Sequence, residues 1–476
     1  MKGEAADDAV TTALPEHRMN VTPPVATAPG AAPALGHAVP LLRDPLRFLS
    51  SLPAHGDLVR IRVGPFAAVV VCDPDLTRRV LLDDRTFDKG GPVYDRVREV
   101  AGDGLASCPH SRHRRQRRLL QPSFHPARMP GYAREMTRQT EAVTGGWRDG
   151  GIVDVRTAMA TITARTVVAT MFTGRLSPAA LHTVLEDFHT LILAISRRAV
   201  MPPPVDRLPT PGNRRYRRAL ARLRGTVQLL IAGHRADGTD HGDLLSTLVA
   251  ARDEDADDRA HPGRLSDDEI ADQLITFFMA GTDTTASTLA WALHLVSRHP
   301  ETQERLQAEA DAVLGGRAAR LDDLPRLDLT GRVVQETLRL YPPGWLLSRT
   351  TTTDARLGGR LLPAGTTVLY SAYLLHHRPD LHPDPERFDP GRWPSAAEPG
   401  RPTPHERRGA FVPFGGGARK CIGEAFGFTE AVLTLASIAA AWRVEPVPGR
   451  PVRPVPGVTL RPGRLPLRTV GRGRGA

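Results

Sequence analysis

The chain has 476 residues, a net charge of +11 and three cysteines, Cys72, Cys108 and Cys421, with no C-x-x-C pair; this excludes a disulfide framework and a cysteine-rich zinc site and fits a reducing cytoplasm. Lysine occurs only as Lys2, Lys89 and Lys420, so arginine supplies 60 of the 63 basic residues, a skew that reflects genome composition more than a nucleic-acid footprint. Glycine and proline, 43 each, stay below the fraction that marks low-complexity disorder, and the length suffices for a large globular core.

Residues 1–28 read as a flexible leader, small, polar and proline-rich, with no apolar run suited to a signal peptide or membrane span. Residues 29–470 read as one domain and 471–476 as a tail. From Asp57, "DLVRIRVGPFAAVVVCDP" gives two β-rich runs split at Gly64 and Pro65, a hairpin. Helical stretches follow at roughly Arg112 to Leu120, Pro126 to Trp147, Ser177 to Arg198 and Asn213 to His234, with "MPPPVDRLPTPGN" a rigid connector between the last two. "LSDDEI" opens the longest helix: Ser266 caps it, Glu269 reaches back and Leu265 packs on Ile270. No proline follows until Pro300, so about 32 residues at ~1.5 Å each span ~48 Å, the width of a large domain. "PETQERLQAEADAVL" continues as helix, and Glu336 and Arg339 lie on another that "YPP" terminates. After Pro342 short β runs and turns take over, then a long coil through Pro413, a helix after Cys421, and "GVTLRPGRLPLRTV" as a C-terminal hairpin. The interleaving gives a mainly α fold with a small β-rich portion.

Three stretches carry chemistry. In the long helix, "MAGTDTTAS" places Gly281, Thr282, Asp283, Thr284 and Thr285 in mid-run, a local helix penalty of ~3 kcal/mol; an acid beside a glycine there points to a buried functional groove. In "FVPFGGGARKCIGEAFGF", the glycines let a loop pass close to a flat object, and Cys421 precedes a helix whose N-terminal end favours the thiolate. No phosphate loop, dinucleotide fingerprint or nucleophile elbow fits those glycines. Glu336 and Arg339 share a helix face as i, i+3 neighbours. The basic run "HSRHRRQRRLLQPSFHP" has no interleaved aromatics to stack bases, and its leucines point to a helix packed on one side, so nucleic-acid binding is the remote reading.

"FGGGARKCIG" resembles the haem-binding signature of the cytochrome P450 monooxygenases at Phe414, Gly417, Arg419, Cys421 and Gly423; "AGTDTT" resembles that family's oxygen-binding motif, "ETLR" its E-x-x-R, and "PERF" supplies Arg387. The resemblance implies that family's fold, with haem b between the long helix and the cysteine loop, Cys421 as axial thiolate, and use of O2. It implies that Ala280 and Gly281 leave room for dioxygen, that Thr284 relays protons and Asp283 links the relay to solvent, and that His113, Arg117, Arg349 and Arg419 hold the propionates, His113 standing where many relatives have tryptophan. Glu336, Arg339 and Arg387 become a buried triad locking the haem loop. Phe277, Phe278, Trp345, Leu346 and Leu347 are the candidate substrate wall. No flavin or iron–sulfur segment is present, so the resemblance implies electrons from NAD(P)H through a ferredoxin reductase and a ferredoxin, in a cytoplasmic monomer. "LGHAVPLLRDPLRFLSSLPAHGDLVRI", "RRQRRLLQPSFHPARMPGYA" and "RLPTPGNRRYRRAL" resemble actinobacterial members that oxidise sesquiterpene hydrocarbons. Terpene hydroxylation is therefore the leading expectation; fatty-acid or polyketide hydroxylation, or direct use of peroxide, are the alternatives.

Overall fold

The computed structural model describes residues 25–172, 176–199, 203–252, 263–395 and 409–473. Residues 1–24, most of the expected leader, lie outside these, but Ala26–Thr27 already forms a strand, paired in parallel with Val59 and Arg60. That strand opens a six-stranded sheet that continues through the expected hairpin, Leu58–Val63 and Phe66–Val71, then Thr367–Tyr370, Leu347–Thr351 and Phe87–Asp88. The hairpin turns at Gly64, whose φ of 58° suits glycine.

Helices form the bulk. The central one runs Asp267–Arg298, and its start is the expected capping box: Glu269 N–H donates to Ser266 Oγ at 3.1 Å, and Ser266 N–H to Glu269 Oε2 at 2.9 Å. The helix Val155–Phe172, not among those expected, packs along it. The cysteine helix Glu424–Ala441 is long and apolar enough to cross a membrane by composition, yet it lies in the core against the central helix and Met129–Thr144. Two of the four buried clusters among the described residues are built on the central helix. One joins the C-terminal half of the central helix to the cysteine helix and Asp328–Leu340. The other joins its N-terminal half to the upper helices Pro178–Ala199 and Pro211–Asp237.

Two local expectations are corrected. In the proline-rich connector, Met201 and Pro202 lie outside the described residues, but Pro203–Arg207 is a short helix and Pro211 already occupies the first turn of the next, where a proline lacks nothing the helix needs. The C-terminal segment is not a hairpin: Leu460–Pro462 pairs with Pro454–Pro456, whereas Pro466–Gly471 pairs with Trp442–Pro446 and Ile152–Asp154.

Replacing the cap, Ser266→Ala, frees an N–H at the start of the helix on which both clusters are built. It should lower stability by about 1 kcal/mol, read as a reduced urea midpoint at unchanged slope.

Candidate active site

The central helix stays α-helical through its run of poor helix formers. Thr284 Oγ1 donates to Ala280 O at 2.6 Å and Thr288 Oγ1 to Thr284 O at 3.1 Å, so two hydroxyls are satisfied by the preceding turn. A Cβ on Gly281 would stand 2.9 Å from Val167 Cγ2. The glycine is thus explained first by the close approach of Val155–Phe172, which also sends Thr163 Oγ1 to Thr282 O at 2.9 Å.

Facing this turn is a cavity of about 380 Å³, with Ala280, Gly281 and Thr284 on one wall and Phe414, Cys421 and Gly423 on the other. The cysteine loop is held from within: Cys421 N–H donates to Phe414 O at 3.0 Å, and Gly417, at φ 64°, lies so near Leu81 that a Cβ would meet its carbonyl oxygen at 2.3 Å. Cys421 keeps accessible surface, but that surface opens on the cavity. Its thiol is pushed up by burial and only partly drawn down by Gly423 N–H. The expected lowering by the helix end is therefore outweighed, because desolvation of the anion is the larger effect. A cation bound at the sulfur would deprotonate it regardless.

Cationic side chains gather at one edge of the cavity. Arg349 is 2% exposed, and among the described residues its Nε and Nη1 have no hydrogen-bond acceptor; its guanidinium carbon lies 5.9 Å from the Tyr370 ring centroid. Lys89 donates to Tyr94 Oη at 3.1 Å; burial, then Arg349 and Arg419, push it well below its ordinary value. Burial, then Arg419 and Arg117, push His113 down to about 3. Arg117 and Arg419 also line the cavity and are bonded to protein: Arg117 Nη1 donates to Lys420 O at 2.6 Å, and Arg419 donates to Asp84 Oδ2 at 3.2 Å, Asp88 Oδ1 at 2.7 Å and Cys108 O at 2.9 Å. Unpaired buried donors beside mutually repelling cations fit the carboxylates of a bound macrocycle, with Arg349, Lys89 and His113 as the residues that would hold them. Sequence reasoning missed Lys89, although a lysine retained in so arginine-rich a chain is itself a signal.

Asp283 is not on the cavity wall. Its Oδ2 accepts from Thr459 Oγ1 on the other side of the helix, and its charge partly offsets the burial that pushes His189 down. Of the expected substrate wall, Phe277 and Leu347 line the cavity. Phe278 stacks edge-on with Phe188 at 4.8 Å, Trp345 donates through Nε1 to Gly457 O at 2.9 Å, and Leu346 packs with the cluster around Phe48; these three belong to the core. Leu105 and Ala106 line the cavity in their place.

The triad also changes membership. Glu336 and Arg339 have no accessible surface and pair at 2.8 and 2.9 Å. Arg387 is exposed and gives only its carbonyl oxygen, 3.0 Å from Arg339 Nη2. The second guanidinium on Glu336 is that of Arg392, 3.2 Å from Oε1, beside Trp393 Nε1 at 3.1 Å. The link to the cysteine loop runs through His376. Its Nδ1 lies 3.2 Å from Arg339 O, while its Nε2 accepts from Val412 N–H at 2.9 Å, which fixes the proton on Nδ1.

Comparison with known proteins places the site in context. The family model described as cytochrome P450 matches residues 28–465. Pentalenene oxygenase of Streptomyces avermitilis is 46% identical over 447 residues, covering 94% of this chain and 97% of that one. Cyclooctat-9-en-7-ol 5-monooxygenase of Streptomyces melanosporofaciens is 46% identical, covering 93% and 94%. A cytochrome P450DA haem domain of known crystal structure superposes with a TM-score of 0.83 at 27% identity, covering 95% of this chain and 99% of that one.

Glu336→Ala leaves Arg339 buried and unpaired, so it should cost about 3–5 kcal/mol and release the cysteine loop, whereas Arg387→Ala should stay within about 0.5 kcal/mol; chemical denaturation of both variants reads the difference. Acid should also destabilise the fold. Burial holds His377 near 4, so it stays neutral when folded but takes up a proton in the unfolded chain below about 6.5. Its depressed value leaves stability intact above that pH and erodes it as the pH falls towards 4. Roughly 2 kcal/mol should be lost at pH 5, visible as a lower urea midpoint than at pH 7.

Proposed function

The chain belongs to the cytochrome P450 family, and from that premise we propose that it hydroxylates a cyclic terpene hydrocarbon in secondary metabolism. It is a haem-thiolate monooxygenase: one atom of O2 enters a C–H bond of a hydrophobic small molecule, and the other leaves as water with two electrons and two protons. The observation that carries the terpene reading is identity of 46% along nearly the full length of two enzymes named for terpene substrates. The apolar wall supports it, with Leu105, Ala106, Phe277 and Leu347 offering contact without hydrogen-bonding groups.

Haem held through Cys421 supplies the oxygen-activating chemistry, to which thiolate electron donation contributes. The chain's own residues do the rest. Arg349, Lys89 and His113 hold the carboxylate edge. Thr284, on the opposite wall, holds a proton at Oγ1 beside the reacting centre, with its hydrogen bond to Ala280 O fixing the rotamer. Asp283 takes protons from the side away from the cavity, where Thr459 positions its carboxylate. Leu105, Ala106 and Phe277 exclude water from the substrate.

Electrons come from NAD(P)H through a reductase and an acidic ferredoxin. A groove of about 850 Å³ beside the cysteine loop, lined by Arg114, Arg117, Arg118 and Arg128 with Ala418, offers the complementary charge within reach of Cys421. The protein acts in the cytoplasm, in keeping with its three free cysteines, and acts there as a monomer.

The test is a titration of the haem-loaded protein with pentalenene and with a long-chain fatty acid. A shift to high spin with the terpene, and a product heavier by one oxygen that requires ferredoxin and NAD(P)H, is expected; a response to the fatty acid alone would overturn the substrate class. Thr284→Ala should keep the red-shifted Soret band of the reduced carbon monoxide complex while diverting most reducing equivalents to peroxide, with about 10²-fold less product per electron.

A further inference from the structure

The cavity wall formed by Leu105 and Ala106 belongs to the loop between the helices Pro92–Ala101 and His110–Leu120. The loop's apolar anchors are Leu105 and the fully buried Cys108, and between them its position comes from its backbone bonds. Gln116 Nε2 and Arg98 Nη2, on the flanking helices, donate to Asp103 O at 2.7 Å and Ser107 O at 2.9 Å, and two loop N–H groups reach one turn of the central helix. Asp103 N–H donates to Asp272 Oδ2 at 3.0 Å, and Leu105 N–H donates to Gln273 Oε1 at 2.9 Å. The approach is closer than any side chain would allow: a Cβ on Gly102, which sits at φ 57°, would fall 2.0 Å from Asp272 Oδ2, and one on Gly104 would fall 1.9 Å from Thr276 Oγ1.

The same carboxylate faces a second element. Arg224, on Pro211–Asp237, donates through Nη2 to Asp272 Oδ1 at 3.1 Å and to Val100 O at 3.2 Å. Asp272 therefore joins the central helix, an upper helix and the loop, and burial pushes its carboxyl up despite Arg224. At its far end the loop is tied to the cysteine side, because Cys108 O accepts from Arg419 Nη1. Between Asp103 and Cys108 lie Gly104, Leu105, Ala106 and Ser107, and Leu105 is itself tied to Gln273, so a shift at Asp272 has little slack to absorb it.

We infer that Asp272 is a positioning residue for substrate recognition: it sets where Leu105 and Ala106 stand in the cavity, and through Arg224 it makes that wall answer to the upper helix. The inference rests on the monooxygenase reading for what fills the cavity, and the terpene reading can fail without it. Asp272 touches neither substrate nor cofactor. Its effect falls on ligands long enough to reach the wall and not on ligands that occupy only the iron.

The haem-loaded full-length protein and its Asp272→Ala, Asp272→Asn and Arg224→Met variants are titrated with imidazole, which needs no wall, and with 4-phenylimidazole, which does; amide hydrogen exchange is followed across residues 100–108. Asp272→Ala should raise exchange at Asp103 and Leu105 about tenfold and weaken 4-phenylimidazole about tenfold, with imidazole unchanged. Asp272→Asn keeps an oxygen for Asp103 N–H and should restore loop exchange to within about twofold, a rescue that general destabilisation would not give. Arg224→Met should weaken 4-phenylimidazole about threefold, so the inference stays testable if Asp272→Ala does not fold. It is overturned if the ratio of the two affinities is unchanged in Arg224→Met and in every folded Asp272 variant, or if Asp272→Asn loosens the loop as much as Asp272→Ala. Failure of pentalenene to shift the unsubstituted protein would sink the terpene reading alone.

Discussion

Glu336 and Arg339 form an ion pair sealed from water, and the position of Cys421 follows from it. Two charges in such a place are tolerated only when every remaining donor and acceptor finds a partner. Here Arg339 spends its outer nitrogens on the carbonyls of His376, Pro385 and Arg387, and Glu336 receives Asp389 N–H, Arg392 and Trp393. The pair therefore gathers distant backbone segments around one helix turn. His376 passes the constraint on: buried and pushed well below its ordinary value, it stays a neutral ring that can accept Val412 N–H, and Val412 O in turn receives Gly415 N–H at the start of the glycine run. A side chain that charged would lose that acceptor, so burial of the histidine is part of how the loop is held.

The opposite wall is organised by helix contact rather than by charge. Gly281 lets Val167 come close, Thr163 bonds the Thr282 carbonyl, and the hydroxyls of Thr284 and Thr288 turn back on their own helix. The residues that weaken the helix intrinsically are thus compensated by a neighbour packed along its length. That places Thr284 on the cavity and Asp283 off it, separating the two polar groups by one residue of helix and directing them to different surroundings.

Much of this was legible in the sequence, for identifiable reasons. Helix starts marked by Ser266, Glu269 and Pro300 rest on local chemistry, and local chemistry survives folding. The signature around Cys421 was readable because glycines and a cysteine at fixed spacing leave few alternatives. What was not legible depends on orientation and on distant partners. Arg387 and Arg392 occupy the same coil, and nothing in their spacing says which turns inward. The helix Val155–Phe172 is rich in threonine, alanine and valine and buried on nearly every side, so it shows no polar face, and its β-branched residues mask its alanines. The C-terminal strands looked like partners because they are adjacent, but each found an edge elsewhere. Phe278 and Trp345 were apolar residues near the right motifs, and only packing could assign them to the core.

The edge of the cavity that gathers Lys89, His113 and Arg349 draws on widely separated parts of the chain. Val69 pairs with Val368 across about 300 residues, and the strand carrying Arg349 is built onto that pairing and onto Asp88. Contacts of such range carry the largest closure entropy and form late. On a ribosome, then, the amino-terminal hairpin must wait for most of the polypeptide to emerge, with one face of its sheet uncovered meanwhile. Arg349, the strand Thr367–Tyr370 and Cys421 all belong to the last third of the sequence, so a product cut short of them would lack the groups that hold its pigment even with every upstream helix in place.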